Sequence, residues 1–143
     1  MDKGTAMQVK QLDHLNLSVI NFEETAGWYK RMLGFEIVEQ GIQHGQPWGV
    51  IKNGDAMLCI YQHPEWGPHD KHAIGGAGFQ RVAHFALRIT DRAQWEEVMK
   101  RENPKLYYGG EINWNHSTAW YIKDPNGYEI EIALWEKTGP AFD

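Results

Sequence analysis

Three short runs carry the residues best suited to chemistry. They are Leu12 to Val19 with His14, Val82 to Ile89 with His84, and Tyr128 to Ile132 with Glu131. Two neutral imidazoles and one carboxylate hold a divalent metal while leaving positions open for a substrate. A carboxylate rarely enters a protein interior unpaired, because desolvation costs several kcal/mol without a counter-charge. A metal shared with the histidines supplies that charge. Glu129 has the same strand parity as Glu131 and is its rival as ligand. It lies nearer the preceding turn, which assigns it to a cleft rim or a salt bridge. The alternative for the set is hydrogen-bonded strand histidines and a salt-bridged glutamate, with no metal.

The elements that must position these groups are one plan written twice. From residue 12, Leu15, Leu17 and Val19 alternate with His14, Asn16 and Ser18, which is a strand period. Asn21 then caps a helix over Phe22 to Leu33, with Glu23 and Glu24 in its first turn and Gly34 as its stop. Strands follow at Phe35 to Glu39, Trp48 to Lys52 and Ala56 to Tyr61, the last two joined by the hairpin signal Asn53-Gly54-Asp55. The second half repeats the order. It has a strand over Val82 to Ile89, a helix from Arg92 to about Arg101 capped by Thr90 or Asp91, and strands at Leu106 to Tyr108, Thr118 to Lys123 and Tyr128 to Leu134. Asp124-Pro125-Asn126-Gly127 makes the final turn.

This order predicts an α+β fold: one domain over 10–135, built of two βαβββ units in tandem at 10–62 and 81–135. Curved mixed sheets would surround a shared cleft, with the helices outside. Between the units, 63–80 holds Pro64, Pro68 and the run Gly75-Gly76-Ala77-Gly78, too long for a hairpin and suited to a linker or a lid. His63, His69 and His72 in this segment read as solvated.

Composition bounds the function further. At 143 residues, 42% hydrophobic and 23% charged, the chain has the make-up of an ordinary globular domain. A net charge of -5 and the lack of a basic run argue against nucleic acid as a partner. No apolar run is long enough to span a bilayer, and the first residues hold no export segment. The lone Cys59 fits a reducing compartment, so a cytoplasmic protein is expected.

With these motifs assembled, residues 12 to 135 resemble the vicinal oxygen chelate superfamily. Its members include glyoxalase I, extradiol ring-cleaving dioxygenases, fosfomycin-resistance enzymes and bleomycin-binding proteins. The resemblance rests on Leu12-Asp13-His14-Leu15-Asn16-Leu17-Ser18-Val19, on Trp28 to Glu36, on the His84 strand, and on Asp124 to Glu131. It implies metal ligands at His14, His84 and Glu131, paired units often closed by dimerisation, and one divalent metal that binds neighbouring oxygens of a substrate.

Within that superfamily the branches differ at identifiable positions. Glyoxalase I has a fourth, acidic ligand on the last strand of its first unit. Here the cleft-facing positions of that strand are Met57, Cys59 and Tyr61, with Cys59 the nearest counterpart. Asn115-His116-Ser117 is similar to the phosphonate-binding segment of fosfomycin enzymes, but Glu111 and Asn113 stand where a lysine would be sought. Tyr121 to Glu131 fits the ending of the extradiol signature, although His116 precedes Tyr121 by fewer residues than that signature asks.

The expected function is therefore a divalent-metal-dependent enzyme acting on a small oxygenated organic substrate. Extradiol-type ring cleavage with Fe2+ comes first; Mn2+, Zn2+, Ni2+ or Co2+ would suit the same ligands. Tyr121 and His116 are the expected catalytic residues. Arg88, Trp48, Cys59, Tyr61 and Asn16 are the expected substrate contacts. Arg88 pairs either with a substrate carboxylate or with Glu129 or Asp91. The alternatives are a glyoxalase-like lyase or isomerase, and a non-catalytic protein that sequesters a small molecule between aromatic walls. The chain is expected to form a homodimer.

Overall fold

The structure is a computed structural model that describes residues 6–136. In the first unit, β1 (Leu15–Val19) leads to α1 (Phe22–Leu33), whose ends follow from its caps. The Asn21 side chain accepts the Glu24 N–H at 2.8 Å, and Gly34, at φ 69°, closes the last turn on the Lys30 carbonyl. Three strands follow: β2 (Glu36–Gln43), β3 (Gln46–Asn53) and β4 (Ala56–Gln62). β2 runs well beyond the expected Glu39. Its turn is His44-Gly45, both at positive φ, as a two-residue hairpin requires. The sheet has the order β1-β4-β3-β2, with β1 parallel to β4 and the other pairs antiparallel.

A short helix, α2 (Lys71–Gly76), occupies the inter-unit segment. It is not expected from the sequence, because two prolines and a glycine run mask a single turn-and-a-half capped by Asp70. The second unit then repeats the first as β5 (Phe85–Ile89), α3 (Arg92–Glu102), β6 (Tyr107–Asn113), β7 (Thr118–Lys123) and β8 (Glu129–Leu134), in the order β5-β8-β7-β6. Asp91 rather than Thr90 caps α3. β6 extends past the expected Tyr108 through a bulge. Its pairing with β7 jumps from Tyr107 to Ile112, and Tyr108, Gly109 and Gly110 all take positive φ. β1 and β5 begin at Leu15 and Phe85, so His14 and His84 stand just before their strands rather than within them.

Parity sends one face of each sheet to the core. Leu17, Val19, Leu58 and Ile60 from the first unit join Ile122, Ile130, Ile132 and Leu134 from the second in one cluster, together with Phe22, Tyr29, Trp95 and Trp120. Burial of this face is the main stabilising term, worth roughly 1.5–3 kcal/mol for each large side chain. The 124–128 turn locks the units together. Asn126 accepts the Ile20 N–H at 2.7 Å and donates to Thr25 at 3.1 Å, while the Tyr128 hydroxyl donates to the Ser18 carbonyl at 2.9 Å. The opposite faces of the two sheets carry the candidate residues. Neither sheet closes on itself, and β1 and β5 are edge strands. Among the described residues, no helix is long and apolar enough to cross a membrane.

Candidate functional site

β5 and β8 run parallel with Ala86 beside Glu131, and β7 runs antiparallel with Tyr121 opposite Glu131. This register gathers polar groups on the open face of the second sheet. The small side chain of Ala86 leaves room for His84, one position before β5, to lean over Glu131, its Nε2 3.1 Å from Oε1. The other ring nitrogen, Nδ1, faces Glu129 Oε2 at 3.6 Å. The Tyr121 hydroxyl donates to Glu131 Oε1 at 2.8 Å, and its ring meets the His84 ring edge-on at 5.5 Å. Burial first, then the hydrogen bond to Glu131, push the Tyr121 phenol up to about 12. At neutral pH it is a hydrogen-bond donor, not a base.

Glu129 is not a rim residue. Its side chain is 2% exposed, and it accepts hydrogen bonds from Lys71 at 2.6 Å and from the Tyr108 hydroxyl. Burial alone raises its carboxyl, but the bonds from Lys71 and Tyr108 outweigh burial and hold it below the ordinary range. The salt-bridge half of the expectation for Glu129 therefore holds, with a partner the sequence reading missed. Lys71 and Tyr108 had no signal of their own. The Gly109-Gly110 pair inside a strand was the one local hint of the bulge that turns Tyr108 inward.

Arg88 stands farther along β5, on the same face as His84. Neither Glu129 nor Asp91 pairs with it. Its guanidinium lies 3.9 Å from the centre of the Trp135 ring, and it has no ion pair among the described residues. His116 stacks on the same indole, 4.7 Å between centroids, and its Nδ1 lies 2.8 Å from Ser117 Oγ. His116 thus groups with Arg88 and Trp135.

The remaining candidates line the open face of the first sheet. Asn16 lies beside Cys59 in the β1–β4 register, and Trp48 opposes Tyr61, their rings stacked at 5.7 Å. Trp120 is core, at 2% exposure. Cys59 is buried, and its thiol beside Tyr61 raises the Tyr61 phenol. Asn16, Tyr61 and His63 help line a cavity of about 380 Å³ on this face. A wider groove of about 760 Å³ runs between α1 and the β2–β3 hairpin and touches only Trp48 of the candidates. His14 is half-exposed, with Nδ1 2.8 Å from Asp13. So the chain brings two of the three expected ligands together. No group of three His, Cys, Asp or Glu able to hold a metal forms among the described residues.

His84 and Glu131 nevertheless fit as half of a metal site. Nitrogen and oxygen ligands bound side by side at about 2.0–2.2 Å from one ion lie about 3 Å apart, which is the separation found here. A neutral imidazole facing carboxylates at both nitrogens has a single N–H to offer, and a cation suits the other side.

Comparison with known proteins agrees with this layout. No curated protein matches the chain. The domain from Frankia sp. EAN1pec described as glyoxylase/bleomycin resistance protein/dioxygenase superposes with a TM-score of 0.73 at 12% identity, covering 92% of this chain and 96% of its own. Lactoylglutathione lyase from Agrobacterium tumefaciens gives 0.64 at 18% identity, covering 94% and 100%. A genomically encoded fosfomycin resistance protein from Listeria monocytogenes gives 0.65 at 13% identity, covering 94% and 97%. At these identities the likeness is one of fold. The profile of the glyoxalase/bleomycin resistance protein/dioxygenase superfamily matches residues 11–132, and the chain belongs to that superfamily.

Proposed function

We propose that this protein is a divalent-metal-dependent enzyme acting on a small oxygenated organic substrate, with His84 and Glu131 holding the metal and His14 of a second copy completing the set. The observation that carries this reading is the 3.1 Å approach of His84 Nε2 to Glu131 Oε1 on an open sheet face. When bound, the metal supplies Lewis acidity, stabilising charge on two neighbouring substrate oxygens.

The chain's own residues supply the rest. Tyr121 orients Glu131 through the hydrogen bond that its hydroxyl donates. Arg88, over the Trp135 ring, receives a substrate carboxylate in two-pronged fashion, and His116 beside it moves a proton. Asn16, Cys59, Tyr61 and Trp48 of that second copy, which share the sheet face next to its His14, form the facing wall. Extradiol-type ring cleavage with Fe2+ is the first reaction in this class, because two histidines and a glutamate are the donor set that chemistry uses. The lone, buried Cys59 is in keeping with a cytoplasmic setting.

Two features support a homodimer. β1 and β5 each have an unpaired edge. Exposed apolar residues flank both: Met7, Val9 and Leu12 before β1, and Phe79 and Val82 before β5.

The test is elemental analysis of protein purified without chelators, then activity after reconstitution with each metal. One equivalent of iron with oxygen uptake on catechols supports ring cleavage. Turnover of a hemithioacetal with nickel or zinc and no oxygen uptake transfers the assignment to a lyase or isomerase. Tight binding of an aromatic ligand by metal-free protein, unchanged in a His84→Ala variant, would replace the enzyme with a sequestering protein.

A further inference from the structure

We infer that Lys71, reaching in from the inter-unit segment, is a positioning residue that keeps Glu129 off the metal and so makes Glu131 the carboxylate ligand. This rests on the metal reading above. His84 faces two carboxylates of the same strand and the same face, and nothing in their chemistry ranks one over the other. Their other partners do.

Both oxygens of Glu129 are engaged. Its Oε2 accepts the Lys71 ammonium at 2.6 Å and its Oε1 accepts the Tyr108 hydroxyl, with the side chain 2% exposed. Glu131 is 15% exposed and has one protein donor, Tyr121, so that its second oxygen accepts no hydrogen bond among the described residues. A carboxylate with both oxygens engaged by an ammonium and a phenol is a weaker metal ligand than one with an uncommitted oxygen. The neutral Lys71–Glu129 pair instead leaves one net negative charge beside His84. Glu129 also faces Nδ1 of that ring, which turns Nε2 toward Glu131. A carboxylate behind a ligating histidine fixes its tautomer and orientation in this way.

Local structure delivers both partners. The His69 N–H bonds the Asn126 carbonyl at 2.7 Å and Asp70 caps α2, which carries Lys71 to the start of β8. On the other side, Tyr108 holds φ at 59°. A left-handed conformation is unfavourable for a bulky residue, and here it aims the phenol at Glu129.

The test is calorimetric titration of the full-length protein with Ni2+, paired with electron paramagnetic resonance of the Cu2+-loaded form. Glu131→Gln should cost more than about 100-fold in affinity and Glu129→Gln no more than about 10-fold. Adding Lys71→Met to Glu131→Gln frees Glu129 to replace the missing ligand. The double variant should recover at least about 10-fold over Glu131→Gln alone, with an altered Cu2+ spectrum. Lys71→Arg should behave as wild type. Equal losses from Glu129→Gln and Glu131→Gln would overturn the inference, as would a double variant no better than Glu131→Gln. If Lys71→Met fails to fold, the Glu129→Gln and Glu131→Gln comparison decides alone. Wild-type protein that binds no Ni2+ would instead sink the metal reading, and this inference with it.

Discussion

The Tyr29 hydroxyl donates a 2.8 Å hydrogen bond to Asp124, joining the helix of the first unit to the last turn of the second across a separation of 95 residues. Both groups are buried, and Asp124 also receives the N–H groups of Asn126 and Tyr128. Burial pushes the Asp124 carboxyl up even so. Tyr29→Phe leaves this buried carboxylate one donor short and should cost about 1–3 kcal/mol. Urea unfolding measures it. A loss under about half a kcal/mol would mean the bond is not a tie between the units.

Gly127 is the second tie. It sits at φ 91°, and a Cβ built there would lie 2.1 Å from the His69 carbonyl oxygen. Gly127→Ala should therefore cost about 1–3 kcal/mol through strain and displacement of the inter-unit segment. Gly54 has a similar φ of 58° but nothing within 4 Å. Gly54→Ala should cost only about 1–2 kcal/mol, the conformational penalty alone. Equal melting temperatures for the two variants would contradict the close approach.

Asp70 gives α2 a pH dependence. Hydrogen bonds from the N–H groups of Ala73, first, and His72 hold its carboxyl below the ordinary range. A depressed carboxyl contributes stability that is present above its unfolded value, about 3.9, and lost as pH falls through the folded value. Amide exchange over residues 71–76 should therefore accelerate, beyond the intrinsic pH effect, below about pH 4. Asp70→Asn should show no such step. A step of the same size in both proteins would exclude Asp70 as its source.

A metal site shared between copies predicts complementation. His14→Ala and Glu131→Gln should each bind metal poorly as separate proteins. Co-expressed, they form mixed dimers holding one intact site, about a quarter of the wild-type total if a two-fold dimer assembles at random. Metal content of the mixture checks this. No recovery would mean that His14 serves its own chain or none.

Much of the fold was legible because its signals are local. The caps Asn21 and Gly34 bound α1 where expected, and β7 matched residue for residue. The alternation of Leu17 and Val19 with Asn16 gave the core face without any knowledge of the partner sheet. His84 and Glu131 came together because parity and register decide such contacts. The missing parts depend on distance. Lys71 and Glu129 are 58 residues apart, and neither neighbourhood hints at the other. The preference of Arg88 for Trp135 over Asp91 could not be read either, since Asp91 was already committed to capping α3. His14 precedes a strand of the other sheet, and period-2 reasoning fixes the face a residue takes but not which face of another sheet it meets.

The segment between the halves bonds Val19 through His63, Asn126 through His69 and Glu129 through Lys71, all before its glycine run begins. Severing the backbone within 75–78 would thus leave every one of those bonds intact, with the leading fragment still gripping the trailing one. Two separately expressed pieces should therefore find each other without a tether, and their co-purification checks this.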